Sequence, residues 1–252
     1  MKDPDWPEGY ARRMLGEVDS TNAEGLRLAR TLAGPTWIFA QRQVAGRGRR
    51  GRAWTDPAGN FAASLVLRPE GAPGRAALRS FVAALALHDA LSAVAPHADL
   101  ALKWPNDVLL SGGKLAGILL EGASSAERME HLVIGFGVNL AEAPPRGDAA
   151  VAPVSLRGGA GVDVTPEALL GHLAAAYARR EAEFVAEGFA PVRDAWLARA
   201  ARLGQEVIAR TMQGETRGIF ETVDADGQLV LSTPGGRRVI PAADVFFGQG
   251  AA

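Results

Sequence analysis

Four arginines lie within one short glycine-rich stretch and could bind a negatively charged ligand. The sequence GRGRRGR spans residues 46–52 and contains Arg47, Arg49, Arg50 and Arg52. Glycine lets the backbone approach a ligand closely, and a guanidinium makes paired hydrogen bonds to carboxylate or phosphate oxygens. The pattern therefore favours an anion-binding loop over a merely solvated basic turn. We expect this loop to be mobile when empty and ordered around its ligand.

The same glycines match the dinucleotide-binding fingerprint G-x-G-x-x-G. That fingerprint requires a helix that begins inside the glycine run, so that the pyrophosphate meets the helix N-terminus. Here Pro57 and Gly59 follow the loop, and residues 60–69 have the pattern of a strand. A phosphate-binding P-loop is excluded as well, because Leu115 stands after Lys114 where that motif needs Ser or Thr.

A second group of polar residues follows a buried strand. KWPND occupies residues 103–107, and its Lys103, Asn106 and Asp107 stand at the mouth of that strand, where α/β sites commonly gather polar groups. Lys114 begins the next strand of the same predicted hairpin, so we expect it near Lys103. Two lysines together with the arginine loop could neutralise a triphosphate and a carboxylate. The histidines show no metal-like spacing, and the sequence leaves any metal ligands unknown.

The elements that must position these residues alternate between strands and helices. A Thr21–Glu24 capping box opens a first helix. Strands are predicted at 36–43, 60–69, 100–110 and 131–141, helices at 75–94, 165–187 and 191–201, and a loop at 143–163. After Gly204 only short strands and turns follow. The sequence therefore predicts an α+β domain over 1–203 and a small β barrel over 204–252.

Composition limits the class of protein. The chain has 252 residues, 48% of them hydrophobic, and a net charge of −1, so the arginine cluster is a local feature of a nearly neutral protein. This balance argues against binding nucleic acid over a broad surface. The absence of cysteine excludes disulfides and thiolate sites and fits a cytoplasmic location. No signal peptide is recognisable, and no apolar run reaches the roughly 20 residues of a membrane span.

Taken together, the motifs resemble those of biotin protein ligases, the biotin–[biotin carboxyl carrier protein] ligases. They occur in the family's order and spacing over nearly the whole chain: DSTN at 19–22, Gln41 with GRGRRGRAW at 46–54, KWPND at 103–107, GGKLAGILLE at 112–121 and GFGVNL at 135–140. The resemblance implies a mixed sheet with helices, related to class II aminoacyl-tRNA synthetases, and a C-terminal Src-homology-3-like barrel. About eighteen residues precede DSTN, too few for the DNA-binding domain of some members, so no repressor function is expected. Ala243-Asp244-Val245 departs from the family's Gly-Asp-Val, a change expected to leave the site untouched.

The resemblance also implies a two-step reaction. The biotin carboxylate attacks the α-phosphorus of ATP, giving biotinyl-adenylate and pyrophosphate, and a lysine of the carrier protein then displaces AMP. Magnesium accompanies ATP, and the carrier is expected to belong to acetyl-CoA carboxylase, with the ligase a monomer or a homodimer. Lys114 is the candidate at the reacting carboxylate and Arg49 at the adenylate phosphate. Lys103 is a further cation, and Asp107 either receives the incoming lysine or organises the cations.

The site residues carry over by matching position. Biotin binding is expected from Ser20, Thr21, Asn22, Gln41, Gly46, Arg47, Gly48, Arg49, Lys114 and Gly117. ATP binding is expected from Arg49, Arg50, Arg52, Trp54, Lys103, Asn106 and Asn139. Gly117 and Gly135 are expected to leave room for the valeryl chain, and Trp54 to pack on adenine.

Two other functions are compatible with parts of the sequence. A lipoate ligase would activate a related acid, although its arginine and glycine pattern differs from GRGRRGR-x-W. A non-enzymatic nucleic-acid binder would use the arginine loop with a steep salt dependence, but it leaves KWPND and Lys114 unexplained.

Overall fold

The protein is described by a computed structural model that covers residues 4–125, 128–146 and 151–247. Twelve strands lie in this part of the chain: β1 Ala11–Val18, β2 Thr36–Gln43, β3 Phe61–Leu67, β4 Leu100–Lys103, β5 Asp107–Leu110, β6 Gly113–Ser124, β7 Met129–Val138, β8 Glu206–Thr211, β9 Gly214–Val223, β10 Leu229–Thr233, β11 Gly236–Ile240 and β12 Asp244–Phe247. Six α-helices accompany them in the described ranges: α1 Thr21–Leu28, α2 Pro73–Ala77, α3 Arg79–Val94, α4 Leu156–Ala160, α5 Pro166–Glu187 and α6 Phe189–Leu197.

The first seven strands form one mixed sheet in the order β1-β2-β3-β7-β6-β5-β4. Only the β1–β2 pair of this sheet is parallel. The last five strands form an antiparallel sheet in the order β11-β10-β9-β8-β12. The predicted α+β class, a mixed sheet with helices followed by a C-terminal antiparallel sheet, is confirmed.

Both faces of the large sheet are covered because the side chains of a strand alternate between its faces. On β2, Trp37 and Phe39 belong to the main core with helices α3 and α5. Ile38, between them, packs on the opposite face with Ala29, just past the end of α1. The sheet is thus a rigid layer between helices.

The C-terminal sheet shares the main core. Trp196 of α6 lies with its ring centroid 6.4 Å from that of Phe220 on β9. The indole N–H of Trp104, beside the KWPND turn, donates to the carbonyl of Gly227 at 3.0 Å. These contacts fix the second sheet against the polar edge of the first.

Several helix and loop boundaries in the structure differ from those predicted from the sequence. The N-cap of α1 is Ser20, whose hydroxyl accepts from the amide of Ala23, one residue before the predicted capping box. The predicted helix 75–94 is broken at Leu78 into α2 and α3. The predicted loop 143–163 contains the short helix α4 and also residues 147–150, outside the described ranges. Strand β1 was not predicted, because its mostly exposed residues show no alternation.

The stretch Pro73–Val94 is long and apolar enough to cross a membrane, by length and composition alone. No apolar run of that length was expected from the sequence. In the structure 56% of the most apolar 18 residues of this stretch is buried, and α3 packs against α5 and the sheet. Its apolar composition is accounted for by its place in the core.

Candidate active site

A cavity of about 800 Å³ lies at the edge of the large sheet, next to the C-terminal sheet. Its walls come from the N-terminus of α1, the arginine loop, strands β4 to β7 and the C-terminal strands β8 and β12. The predicted site residues that line it are Ser20, Thr21, Asn22, Arg47, Gly48, Arg49, Arg50, Arg52, Trp54, Lys103, Asn106, Asp107, Lys114, Gly117 and Asn139. Residues far apart in the sequence therefore meet around one space.

Two lysines and one aspartate form the innermost charged cluster. Lys103 ends β4 directly opposite Asp107 on β5, and Lys114 is near the start of β6. The carboxylate of Asp107 lies 2.7 Å from Lys114 Nζ and 3.6 Å from Lys103 Nζ. Burial lowers the pKa of Lys103 from its ordinary value, and the charge of Asp107 opposes that shift. The cluster carries two cations and one anion, which leaves net positive charge for a ligand.

The arginine loop is a short β-hairpin. The amide of Gly48 donates to the carbonyl of Arg52 at 2.7 Å, and the amide of Trp54 donates to that of Gly46 at 2.9 Å. A 3-10 turn at Arg49–Gly51 forms the tip, where Arg50 has a left-handed φ of 57°. Gly46 does not line the cavity. A Cβ on it would lie 2.7 Å from the Trp54 carbonyl oxygen, so this glycine serves close packing within the hairpin.

Each arginine of the hairpin has a polar partner outside the hairpin, and these partners lie on three elements. Arg47 lies 3.7 Å from Glu121 of β6, and Arg49 donates to Asn106 at 3.3 Å. Arg50 and Arg52 both bind Asp244 of β12 at 2.7 Å.

Asp244 is a site residue that the sequence reasoning missed. Burial alone would raise its pKa, yet the hydrogen bond from Arg52 and the nearby positive charges hold that pKa below its ordinary value. The neighbouring Ala243 is fully buried in the core and does not line the cavity. The departure from the family's Gly-Asp-Val lies at Ala243, outside the cavity, whereas Asp244, which matches that pattern, lines it.

The uncharged end of the cavity is formed where α1 begins. The backbone amide of Thr21 donates to Oε1 of Gln43 at 2.8 Å, and the Thr21 hydroxyl lies 3.1 Å from the same oxygen. Gln41 does not reach this space, because it is exposed on β2 and Gln43, the last residue of that strand, faces the cavity. The sequence assignment was two residues too early.

At three glycines of β6 and β7, a neighbouring side chain occupies the space that a side chain of the glycine position would need. A Cβ on Gly135 would clash with Oδ1 of Asn22. A Cβ on Gly137 would lie 2.5 Å from the Trp54 indole, and one on Gly117 would lie 3.2 Å from it. Trp54 and Asn22 therefore occupy the room that Gly117 and Gly135 were expected to leave for an alkyl chain. The glycines act by letting these two side chains lie against the sheet.

The two asparagines of the predicted nucleotide site hold backbone in place. Asn106 donates to the carbonyl of Ile118 and accepts from Arg49. The amide nitrogen of Asn139 lies 3.4 Å from the Lys114 carbonyl and 3.2 Å from that of Val154. Its buried Oδ1 has no partner within the described residues, so it is available to a donor.

Comparison with known proteins agrees with this geometry. Residues 15–139 match the biotin/lipoate A/B protein ligase family, and residues 203–248 match the biotin protein ligase C-terminal domain. A biotin–[acetyl-CoA-carboxylase] ligase of Paracoccus denitrificans is 58% identical over 239 residues, covering 93% of this chain and 100% of that protein. Another from Mycobacterium tuberculosis is 32% identical over 246 residues, covering 92% and 87%.

A solved structure has the same overall arrangement. The biotin protein ligase from Aquifex aeolicus, in complex with biotin and ATP, matches with a TM-score of 0.79 at 25% identity, covering 93% of this chain and 97% of that one. The chain therefore belongs to the biotin/lipoate A/B protein ligase family. The C-terminal match and the full-length relatives place it among the biotin protein ligases of that family, as its motifs indicated.

Proposed function

We propose that this protein activates biotin with ATP and transfers it to a lysine of a biotin carboxyl carrier protein. The observation that carries the proposal is one cavity with a hydrogen-bonding end at Thr21 and Gln43 and a cationic end at Lys103 and Lys114. A ureido ring needs hydrogen-bond partners, whereas a carboxylate and a triphosphate need cations. Biotin, with a ureido ring at one end and a carboxylate at the other, fits this division, and ATP fits the cationic end.

In the first step, two anions must approach each other. Lys114, held by Asp107 at 2.7 Å, is suited to the biotin carboxylate and the α-phosphate, and the buried Lys103 adds a second positive charge. Cations fixed in place before the reaction stabilise charge that develops in the transition state. Asp107 organises the two lysines. ATP brings magnesium as part of the substrate, bound mainly through its phosphates.

In the second step, the mixed anhydride must survive until the carrier lysine arrives. We infer that the hairpin covers the adenylate, with Arg49 on its phosphate and Trp54 beside the adenine. A closed cover excludes water and slows escape of the intermediate. The nucleophilic amine of the carrier then forms the amide bond, and AMP leaves.

The carrier we propose is the biotin carboxyl carrier of acetyl-CoA carboxylase, in line with the names of the two relatives. We also propose a cytoplasmic location. In addition, we propose that the chain divides into two domains near residue 203, and the separate match of residues 203–248 supports this division.

The direct test is to incubate the protein with biotin, magnesium-ATP and an apo carrier domain and to measure the mass of the carrier. We expect one added biotinyl group, which depends on ATP. A parallel pyrophosphate-exchange assay with biotin and lipoate separates the two ligase activities. Exchange that depends on lipoate and ignores biotin would replace this proposal with the lipoate alternative.

A further inference from the structure

A chain of hydrogen bonds runs beneath the uncharged end of the cavity. Its centre is Ser64 of β3, which is fully buried. The Ser64 hydroxyl oxygen lies 2.8 Å from Oγ1 of Thr21 and 2.6 Å from Oδ1 of Asn22. Thr21 in turn lies 3.1 Å from Oε1 of Gln43. Ser64 has no signal in the sequence, because it stands within an apolar strand.

The partners of the two amides fix which of their atoms accept. Asn22 Nδ2 donates to Glu121 at 2.9 Å, so its Oδ1 faces Ser64. The backbone amide of Thr21 donates to Gln43 Oε1, so that atom is an oxygen as well. Amide oxygens only accept hydrogen bonds. The three contacts between Asn22, Ser64, Thr21 and Gln43 therefore share only two protons, one from each hydroxyl.

The distances decide where those two protons lie. Among the described residues, Asn22 Oδ1 is satisfied only by the Ser64 proton, at 2.6 Å. The Thr21 proton then has two possible acceptors, Ser64 at 2.8 Å and Gln43 at 3.1 Å. Hydroxyl hydrogen bonds are most favourable near 2.7–2.8 Å. Thr21 therefore donates to Ser64, which leaves lone pairs on Thr21 Oγ1 and on Gln43 Oε1 beside the cavity.

We propose that Ser64 is a positioning residue that keeps Thr21 and Gln43 as a pair of acceptors for the ureido N–H groups of biotin, and so favours biotin over lipoate. The proposal rests on the proposed function and deepens it. The dithiolane ring of lipoate has no N–H, so it would leave the buried Thr21 and the half-buried Gln43 without a donor. A site built to accept a hydrogen bond discriminates strongly against a ligand that lacks the donor.

The test is Ser64→Ala. Without Ser64, the Thr21 proton turns to Gln43 and fills the acceptor that the ligand needs. We expect the dissociation constant of biotin, measured by calorimetry, to rise about tenfold. The dissociation constant of ATP and the kcat at saturating biotin should stay within about twofold. The preference for biotin over competing lipoate, or over biotin methylated on either ureido nitrogen, should shrink by the same factor.

Thr36→Val is the matched control. Thr36 is equally buried on the neighbouring strand, and its hydroxyl donates only to the carbonyl of Gly34, outside this chain of bonds. Unchanged biotin affinity in Ser64→Ala, or biotin and ATP affinity falling together, would overturn the positioning role. A wild-type protein that binds no biotin at all would instead defeat the proposed function.

Discussion

The site holds its positive charge in two regions that are built differently. Lys103 and Lys114 stand on strands of one sheet, within reach of a single carboxylate, and the side chain of Lys103 is only 6% exposed. At the hairpin, Arg50 and Arg52 are far more exposed, at 43% and 66%, whereas Arg49 is half-buried. The partners of the hairpin arginines come from three separate elements.

The difference in exposure suits the lysines and the arginines to different roles in the reaction. A cation fixed on a sheet is already placed for the reacting atoms, and the charge of the buried Lys103 is little screened by water. An exposed ion pair contributes roughly 0–1 kcal/mol, so the hairpin arginines can exchange Asp244 for phosphate at small cost. The sheet is thus suited to the chemistry and the hairpin to retention of the intermediate.

Removing the sheet cation should have the largest effect. Lys114→Ala takes away the charge next to Asp107 and should lower biotin-dependent pyrophosphate exchange by about a hundredfold or more. Lys114→Arg keeps the charge at that position and should retain part of the activity. Thermal unfolding should change little, because the Lys114 side chain is 30% exposed. Exchange at a near-normal rate in Lys114→Ala would remove Lys114 from the first step.

The hairpin should respond in another way. Arg49→Gly loses the contact with Asn106 and with the adenylate phosphate, so we expect the adenylate to escape about tenfold or more faster. The variant should then biotinylate unrelated lysines in a mixture of proteins, detected with labelled streptavidin. Arg42→Gly is the control, since Arg42 pairs with Glu17 on the exposed edge of the sheet. If Arg49→Gly stays as selective as the control, the hairpin does not retain the intermediate.

The ion pairs of Arg50 and Arg52 with Asp244 provide a test of what holds the hairpin closed. Asp244→Asn weakens both ion pairs without changing shape, so the hairpin should open more often. Hydrogen exchange at the Gly48 and Trp54 amides should speed up a few-fold, a small change because exposed pairs are weak. About 1 M salt should produce a similar change in the wild-type protein but not in the variant. Identical exchange in both proteins would mean that Asp244 does not hold the hairpin.

The smallest effect concerns pH. Because burial lowers the pKa of Lys103, the unfolded chain binds this proton at pH values where the folded protein has lost it. The contribution of Lys103 therefore makes the free energy of unfolding rise with pH, in the window between its lowered pKa and the 10.5 of an ordinary lysine. Lys103→Met should flatten that rise, as measured by urea unfolding across the alkaline range. Parallel curves for the two proteins would contradict this assignment.

Local motifs predicted much of the site. Lys103, Asp107 and Lys114 belong to consecutive strands of one antiparallel unit, so their proximity follows from the hairpin pattern. The arginine stretch was likewise recognised from its glycines as an anion-binding loop, although its hairpin structure was not predicted. The placement of Gln43 was not, because it and Gln41 lie two residues apart on the same strand, and only the packing of α1 against the strand end distinguishes them.

Distant contacts could not be predicted. Asp244 meets Arg50 across 194 positions, and no pattern in either segment points to the other. Ser64 is a polar residue inside an apolar strand, and its place in the hydrogen-bond chain depends on how closely α1 packs on the sheet. The exposed strand β1 also lacked a signal, since an edge strand without a buried face has no alternation to detect.

The position of Trp54 has a practical consequence. Three of the five tryptophans, Trp37, Trp104 and Trp196, are buried in the core, and Trp54 alone among the five lines the cavity. Its ring lies on the glycine floor of the sheet, 5.8 Å from the ammonium of Lys114. Tryptophan fluorescence should therefore change when a ligand fills the site. This ligand-dependent change should be lost in Trp54→Phe.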